Sequence, residues 1–304
     1  LVPIPEDIAH LGVERDGDPV LPACAQGRRP DQHHQRERAA QSSHRFDSRV
    51  QPMAVDGDPM APLRAAGARV GVFVDFDGTL APIVLDPASA VPQPGAVDAL
   101  LALQAGGARV AVLSGRPMSF LADHLPLDLD AFGLYGLERR IDGVLVVDPE
   151  AESWRTVVDE LAGRARTELP TGAAVEHKGL SLTLHTRRAP ELAGVVAGWA
   201  ADVSRQSGLL ARPAKQSVEL HPPVTADKGT VLAALLLGLD AACFIGDDAG
   251  DLAAFDALDA FAAAGGQAAR IVVQTAETVA ELLDRADLTV IDPAAVVDLL
   301  RSIA

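Results

Sequence analysis

The stretch GVFVDFDGT, residues 71–79, decides how this chain folds. Its first half is a continuous apolar run, which is typical of a strand buried on both faces of a parallel sheet. The run ends in Asp75 and Asp77 and is broken by Gly78. Because open parallel sheets gather ligands at the carboxyl ends of their strands, the stretch predicts a central strand with a site at its end.

The sequence on both sides of this stretch repeats the pattern of apolar strands and helices. A helical stretch over residues 95–104 separates the first strand from a second apolar run. Strands that alternate with helices predict an α/β fold with a doubly wound parallel sheet as its core. The further runs that we interpret as core strands are ARVAVLSGR at 108–116, AACFIGDD at 241–248, ARIVVQT at 269–275 and DLTVID at 287–292.

Between these flanks lies a segment with a different order of elements. Two helices, each followed by two short strands, predict an inserted, smaller α+β domain over residues 148–222. In LSLTLHT, residues 180–186, apolar and polar residues alternate as on a sheet with one wet face, and we expect that face to cover a site. Residues 69–147 and 223–304 then form the core. Residues 1–68 show no periodicity, which predicts a disordered N-terminal tail.

Composition excludes several classes of protein. The 304 residues, 48% of them hydrophobic, suffice for about two domains with buried cores. A net charge of -16 is the opposite of what nucleic-acid binding requires. The longest apolar stretch, residues 231–239, is too short to span a membrane. The acidic start of the chain differs from a secretory signal, so we predict a cytoplasmic protein, and no obligate protein partner is evident.

The polar ends of the predicted strands indicate a metal and phosphate site. Asp75 and Asp77 lie two residues apart, and the later motif GDDAGD, residues 246–251, adds Asp247, Asp248 and Asp251. Carboxylates that share one sheet edge repel each other unless a cation offsets the repulsion. Oxygen ligands without nearby histidine or cysteine favour Mg²⁺.

A second set of residues suits an anion. Ser114 follows the second strand, and its hydroxyl together with the amides of the next turn can bind a phosphoryl oxygen. Lys228 supplies a compact positive charge at the start of a predicted helix. These two residues therefore predict an anion-binding cradle beside the carboxylates.

The ordered set of motifs resembles the haloacid dehalogenase superfamily, and within it the trehalose-6-phosphate phosphatase family. The resemblance covers about residues 70–300 and includes a C2-type cap as the inserted domain. Tyr135 departs from the family pattern, which has histidine there, and Gly250 and Leu252 stand where the family often has threonine and an acidic residue. The segments that carry the resemblance are DFDGTLAPI, SGR, GLYGLE, EHKGLSLTLHTRR, VELHPPVTADKG and GDDAGD.

The resemblance implies a magnesium-dependent phosphatase that passes through an aspartyl-phosphate. Asp75 would be the nucleophile, and Asp77 the general acid and base. The metal would be held by Asp75, the backbone carbonyl of Asp77 and Asp247. Asp248 and Asp251 would orient the metal's waters or Lys228.

For the substrate, the resemblance implies a small-molecule sugar phosphate, trehalose 6-phosphate. Glu176, Lys178 and Glu219 in the inserted domain would bind the sugar, and Arg116 would approach the substrate as well. Two alternatives stay open: a capped phosphatase for sucrose phosphate or mannosylglycerate phosphate, and a catalytically silent sugar-phosphate sensor. The residues of the inserted domain decide between the first of these and trehalose 6-phosphate.

Overall fold

The structure is a computed structural model, which describes residues 50–52, 58–65, 69–84, 86–214, 216–276 and 278–304. Its strands are β1 (Val50–Pro52), β2 (Val70–Val74), β3 (Arg109–Leu113), β4 (Asp130–Gly133), β5 (Glu138–Ile141), β6 (Val144–Val147), β7 (Ala174–His177), β8 (Leu182–His185), β9 (Leu210–Ala214), β10 (Ser217–His221), β11 (Ala241–Gly246), β12 (Gln267–Val273) and β13 (Leu288–Val290). Its α-helices are α1 (Ala96–Ala105), α2 (Met118–Ala122), α3 (Pro149–Glu152), α4 (Arg155–Glu168), α5 (Ala193–Ser207), α6 (Lys228–Leu235), α7 (Leu252–Ala263), α8 (Ala280–Arg285) and α9 (Pro293–Ile303). Short 3-10 helices are Ala61–Arg64, Pro87–Ser89, Leu134–Gly136, Pro190–Leu192 and Ala249–Asp251.

The main sheet has the strand order β1-β13-β12-β11-β2-β3-β4-β5-β6. The six strands from β13 to β4 are mutually parallel, whereas β1, β5 and β6 join the edges in antiparallel pairs. The predicted α/β fold with a doubly wound parallel core is confirmed. The strands β2, β3, β11, β12 and β13 were predicted from their apolar runs, whereas β4, β5 and β6 were not.

Both faces of the main sheet are covered by helices, as a continuous apolar strand requires. In β2, Val72 and Val74 join the core cluster under α1, α2 and α9, and Phe73 joins the one under α6, α7 and α8. All three side chains are fully buried. Alternation of strand side chains between two apolar layers therefore explains why GVFV contains no polar residue.

The inserted α+β domain is present and has its own antiparallel sheet, of order β7-β8-β10-β9. Leu182 and Leu184 pack with α4 and α5 on one face of this sheet. On the other face Ser181 and Thr183 are buried too, so the expectation of a wet face was wrong. Ser181 lines a cavity together with core residues, because this face lies against the core.

Part of the predicted N-terminal tail belongs to the folded core. Met60 and Leu63, in and beside the 3-10 helix Ala61–Arg64, are buried in the cluster under α1 and α9. The prediction of disorder was wrong for residues 58–65, because two isolated apolar side chains are enough to anchor so short a helix. Most of the predicted tail lies outside the described residues. Among the residues that the structure describes, no helix is both long and apolar enough to cross a membrane.

Candidate active site

Asp75 sits at the centre of the main sheet, directly after β2. Its amide donates to the carbonyl of Ile245 at 2.9 Å, which continues the pairing of β2 with β11 and leaves the side chain at the sheet's end. The chain then turns at Gly78, whose φ is +78°. A side chain at Gly78 would place its Cβ 2.1 Å from an Asp247 carboxylate oxygen, so only glycine allows the two motifs to approach this closely.

Lys228 joins two carboxylates below the cavity. Its Nζ lies 2.6 Å from Asp75 Oδ1 and 2.6 Å from Asp251 Oδ1, and all three side chains are buried. Burial disfavours the charged form of Lys228, but the charges of Asp251 and Asp75 outweigh it and raise the pKa of the lysine well above its usual range. Lys228 is therefore a fixed ammonium that touches the predicted nucleophile.

Asp251 ties the GDDAGD turn to this lysine. Its Oδ2 accepts from the amides of Asp247 at 2.8 Å and Asp248 at 3.1 Å. Gly246 has no side chain where Asp251 packs, since a Cβ there would lie 2.4 Å from the Asp251 carboxyl carbon. Both Asp251 oxygens are thus engaged by protein donors.

Asp247 is a buried carboxylate whose ionised form few neighbouring groups stabilise. Its Oδ2 accepts from the Thr275 hydroxyl at 3.1 Å. Burial, and then the charges of Asp251 and Asp248, raise the pKa of Asp247 to about 8. Burial likewise raises the pKa of Asp75 well above its usual range, although Lys228 opposes the shift.

These groups could hold a metal ion. Asp75, Asp247 and Asp251 each offer an oxygen, and the three oxygens lie within 4.8 Å of one another. Three carboxylates and one ammonium leave two negative charges in a buried space, which a divalent cation would neutralise. Burial is the main cause of the raised pKa values of Asp75 and Asp247, and the neighbouring carboxylates raise both further. The cluster includes Asp251, which was predicted to orient the metal's waters or Lys228, and it does not include Asp248. Asp77 was predicted to contribute its backbone carbonyl and not its carboxylate.

The predicted acid and base, Asp77, is paired with Arg116. Arg116 Nε and Nη2 donate to the two carboxylate oxygens of Asp77 at 2.6 and 2.7 Å. The guanidinium also stacks on Phe120, 4.3 Å from the ring centre. The approach of Arg116 to the substrate stays a prediction, and the two-point contact with Asp77 was not predicted. Ser114, which is fully buried, accepts from the Arg116 amide through its hydroxyl at 3.1 Å.

One cavity of about 220 Å³ collects most of the predicted residues. Its lining includes Asp75, Asp77, Ser114, Arg116, Lys178, Lys228, Asp247 and Asp248. Glu219 instead lines a smaller neighbouring cavity between the core and the inserted domain, where it accepts from the Ser181 hydroxyl at 2.8 Å. Lys178 Nζ lies 3.6 Å from the same Glu219 oxygen.

Glu176 lies outside both cavities. Its Oε2 is 2.7 Å from Nε2 of His185 on the neighbouring strand. Burial alone would raise the pKa of Glu176, but the hydrogen bond with His185 and the charge of Lys178 outweigh it and lower the pKa. Glu176 is therefore an ionised acceptor. Its carboxylate is oriented by His185 and does not line either cavity.

The cavity also contains residues that the sequence analysis did not assign to the site. Arg187 lines it from the inserted domain, Ile83 and Val84 form an apolar wall, and Tyr135 lies next to Gly115. Ile83 ends the segment DFDGTLAPI, and Arg187 lies in EHKGLSLTLHTRR. Both segments carry the family resemblance, and this indicated that their residues could belong to the site. Thr275, which contacts Asp247, follows the end of β12, and its place at a strand end was the only sign in the sequence.

Comparisons with known proteins give a consistent result. The family model described as trehalose-phosphatase matches residues 73–285. A trehalose-phosphate phosphatase from Mycolicibacterium paratuberculosis is 35% identical over 205 residues, which are 64% of this chain and 52% of that protein. The chain thus spans about half the length of this curated relative.

Solved structures share the fold. A crystal structure of a trehalose-6-phosphate phosphatase related protein has a TM-score of 0.65 at 25% identity and covers 77% of this chain and 96% of its own. The C-terminal domain of the Candida albicans trehalose-6-phosphate phosphatase has a TM-score of 0.66 at 21% identity, with 84% and 99% covered. Because the family model matches residues 73–285, well over half of the chain, this chain belongs to the trehalose-phosphatase family.

Proposed function

We propose that this chain hydrolyses trehalose 6-phosphate to trehalose and inorganic phosphate, with Mg²⁺ as cofactor and Asp75 as nucleophile. The observation that carries the proposal is the single cavity in which Asp75, Lys228 and Asp247 lie beside Lys178 of the inserted domain. The first three residues suit phosphoryl transfer, and Lys178 suits recognition of sugar hydroxyls. The matched relative's name points to the same substrate.

Asp75 and Asp247 would hold magnesium through their carboxylates, with the backbone carbonyl of Asp77 as a further ligand. Bound magnesium supplies positive charge that neutralises phosphoryl oxygens. Asp251 is already engaged by Lys228 and two amides, so its proposed role is to position Lys228 and the Asp247 turn. Asp248, which lines the cavity, would orient water around the ion.

In the first half of the reaction, an Asp75 oxygen forms a bond to phosphorus while the bond from phosphorus to the sugar oxygen breaks. Asp77 gives its proton to that leaving oxygen. Ser114 donates its hydroxyl to a phosphoryl oxygen, and Lys228 keeps Asp75 in place. In the second half, Asp77 takes a proton from the water that attacks phosphorus, and the bond to Asp75 breaks. Phosphate leaves and the free carboxylate is restored.

The contact between Arg116 and Asp77 adds one step to this scheme. Arg116 donates to both carboxylate oxygens of Asp77, the atoms that would exchange a proton with the leaving oxygen. The incoming phosphate is a dianion that competes for the same donors. We therefore assign Arg116 a positioning role: it orients Asp77 before substrate enters and turns towards the phosphate afterwards.

The domain limits of the sequence analysis are part of the proposal. Residues 148–222, which contain the second sheet with α3, α4 and α5, would be the substrate-binding cap, and residues 69–147 and 223–304 the catalytic core. In the cap, Lys178 and Glu219 would bind the sugar directly, and Glu176 would do so once the cap closes. A cytoplasmic location, and action without nucleic acid, membrane or an obligate protein partner, stay predictions from the sequence.

The test is phosphate release from a panel of trehalose 6-phosphate, sucrose phosphate, mannosylglycerate phosphate and a small aryl phosphate, with magnesium and with chelator. We compare the wild-type chain with Asp75→Asn, and with Asp202→Asn as a matched control, since Asp202 is exposed on α5. We expect release from trehalose 6-phosphate that needs both magnesium and Asp75 and is unchanged in the control.

Each other outcome removes a defined part of the proposal. Preference for a different sugar phosphate would leave the core mechanism and reject the assignment of substrate. Activity that survives in chelator would reject the metal. A chain that binds trehalose 6-phosphate but releases no phosphate would be the sensor instead of the enzyme.

A further inference from the structure

Tyr135 occupies an unusual backbone segment between the two cavities. Leu134, Tyr135 and Gly136 have φ values of +47°, +60° and +104°, a left-handed run that residues other than glycine rarely adopt. The amides of Leu134 and Tyr135 donate to the carbonyls of Arg116 at 2.9 Å and Ser114 at 3.0 Å. Strained backbone of this kind persists where the surroundings impose it, and it clusters at functional sites.

The Tyr135 ring is wedged between the core and the cap. A Cβ on Gly115 would lie 2.8 Å from both Cζ and Oη of Tyr135, so the ring lies directly on the Ser-Gly-Arg turn. On its other side the guanidinium of Arg212, from cap strand β9, is 5.1 Å from the ring centre. These contacts fix the place of the ring, and with it the place of the hydroxyl.

Tyr135 is half-buried, and no hydrogen bond joins its hydroxyl to another residue that the structure describes. Tyr135 lines the main cavity together with Lys228, and the smaller cavity together with Glu219 and Arg212. Burial, and then the charge of Glu219, raise the pKa of Tyr135, so the phenol stays neutral. A neutral hydroxyl can both donate and accept, so it can form a hydrogen bond with a sugar hydroxyl in either role.

We infer that Tyr135 is a specificity-determining residue whose hydroxyl bonds a sugar hydroxyl of the bound substrate where the core meets the cap. The inference rests on the proposed function for its substrate. The phosphate already has Lys228 and Ser114 on the core side. Tyr135 shares the smaller cavity with Glu219, the residue assigned to the sugar.

The chain contains a single tyrosine, so a tyrosine-specific probe reports on this residue alone. With ring-labelled tyrosine, we expect one NMR signal that shifts when trehalose is added and does not shift with inorganic phosphate. A signal that responds to phosphate alone, or to neither compound, overturns the inference. This measurement needs no turnover, so it stands apart from the test of the proposed function.

Kinetics of Tyr135→Phe supply the second test, because phenylalanine keeps the ring against Gly115 and Arg212. We expect KM for trehalose 6-phosphate to rise about tenfold, as for loss of one hydrogen bond, with kcat and aryl phosphate turnover unchanged. An unchanged KM, or equal losses on both substrates, rejects the inference and leaves the proposed function standing. A wild-type chain inactive on trehalose 6-phosphate rejects the proposed function, and the Tyr135→Phe comparison is then made on the sugar phosphate it prefers.

Discussion

The core end and the cap end of the cavity are held together in different ways. In the core, Lys228 makes two contacts of 2.6 Å, and Asp251 accepts an amide at 2.8 Å, all with buried side chains. In the cap, Lys178 and Glu219 are 3.6 Å apart, and Glu176 turns to His185 instead of to the cavity. The core groups thus stand in place for chemistry, whereas the cap groups contact one another.

This difference indicates that catalysis depends on the core groups and substrate specificity on the cap groups, so that the two can be altered separately. Preorganised charges lower a barrier because they need not move during the reaction. The Lys178 ammonium, which lies 3.6 Å from Glu219, can exchange this partner for sugar hydroxyls at little cost. Substitutions of Lys228 and of the carboxylates that it contacts should therefore affect every phosphate ester, and substitutions in the cap should affect sugar phosphates alone.

The largest effect is expected from Lys228→Met. The change leaves Asp75 and Asp251 without their shared cation, and breaking a buried ion pair costs about 3–5 kcal/mol of folding free energy. Activity on trehalose 6-phosphate and on an aryl phosphate should both fall by about 10³-fold, since Asp75 loses its ammonium contact. Phosphate release and denaturant unfolding measure the two effects. Lys178→Met is the matched control and should spare the aryl phosphate; a loss of both activities in it would remove the distinction between the two ends.

Removal of magnesium should have the next largest effect, and it depends on pH. The pKa of Asp247 is raised to about 8, above the value of about 3.9 for an unfolded aspartate. Between these values the folded chain keeps a proton that the unfolded chain has released, so metal-free stability falls as pH rises from about 4 to about 8. Magnesium at about 100 times its Kd should restore about 2.7 kcal/mol at pH 8 and less at pH 5.

Thermal unfolding at several pH values, with magnesium and with chelator, measures this effect. Asp247→Asn should remove the part of the fall in stability that Asp247 causes, leave the part caused by Asp75, and remove most of the gain from magnesium. If the difference in stability between the wild-type chain and Asp247→Asn does not change over this pH range, other groups of the folded chain already stabilise the ionised Asp247 carboxylate.

Arg116→Lys should show an intermediate effect. Lysine keeps the charge but loses the two-point contact with Asp77, so Asp77 would be less well oriented. We expect turnover of trehalose 6-phosphate to fall about 10² -fold, within the range for a general acid. An aryl phosphate with a good leaving group needs little protonation and should lose less. Equal losses would mean that Arg116 acts on the phosphate and not through Asp77.

The core half of the site was readable from the sequence because its residues follow directly on strands. Asp75, Ser114 and Asp247 each come after an apolar run, and parallel strands bring such positions to one edge. The pairing of Arg116 with Asp77 was not readable, because a long side chain can reach several partners at that edge. Met60 and Leu63 were missed for another reason: two apolar residues carry no periodicity, and only the finished core reveals the groove they fill.

Within the cap, Glu219→Gln should weaken sugar phosphate turnover more than Glu176→Gln. Glu219 is buried and already contacts Ser181 and Lys178, whereas Glu176 lies outside both cavities. We expect KM for trehalose 6-phosphate to rise about tenfold for Glu219→Gln and a fewfold for Glu176→Gln, with aryl phosphate turnover unchanged in both. The opposite order would mean that cap closure brings Glu176, rather than Glu219, to the sugar.

The smallest expected effect is a difference in KM between substitutions of two histidines that make similar contacts. His185 and His177 each place Nε2 2.7 Å from a carboxylate oxygen, of Glu176 and Asp159 respectively. His177 pairs with Asp159 of α4, on the face of β7 opposite to the residues assigned to the sugar. An exposed pair of this kind contributes at most about 1 kcal/mol to the free energy of unfolding. We expect His177→Asn to leave KM unchanged, whereas His185→Asn should raise KM for trehalose 6-phosphate about threefold, because Glu176 loses the donor that orients it. If both variants behave alike, the orientation of Glu176 has no part in binding the sugar, and specificity in the cap comes from Lys178 and Glu219.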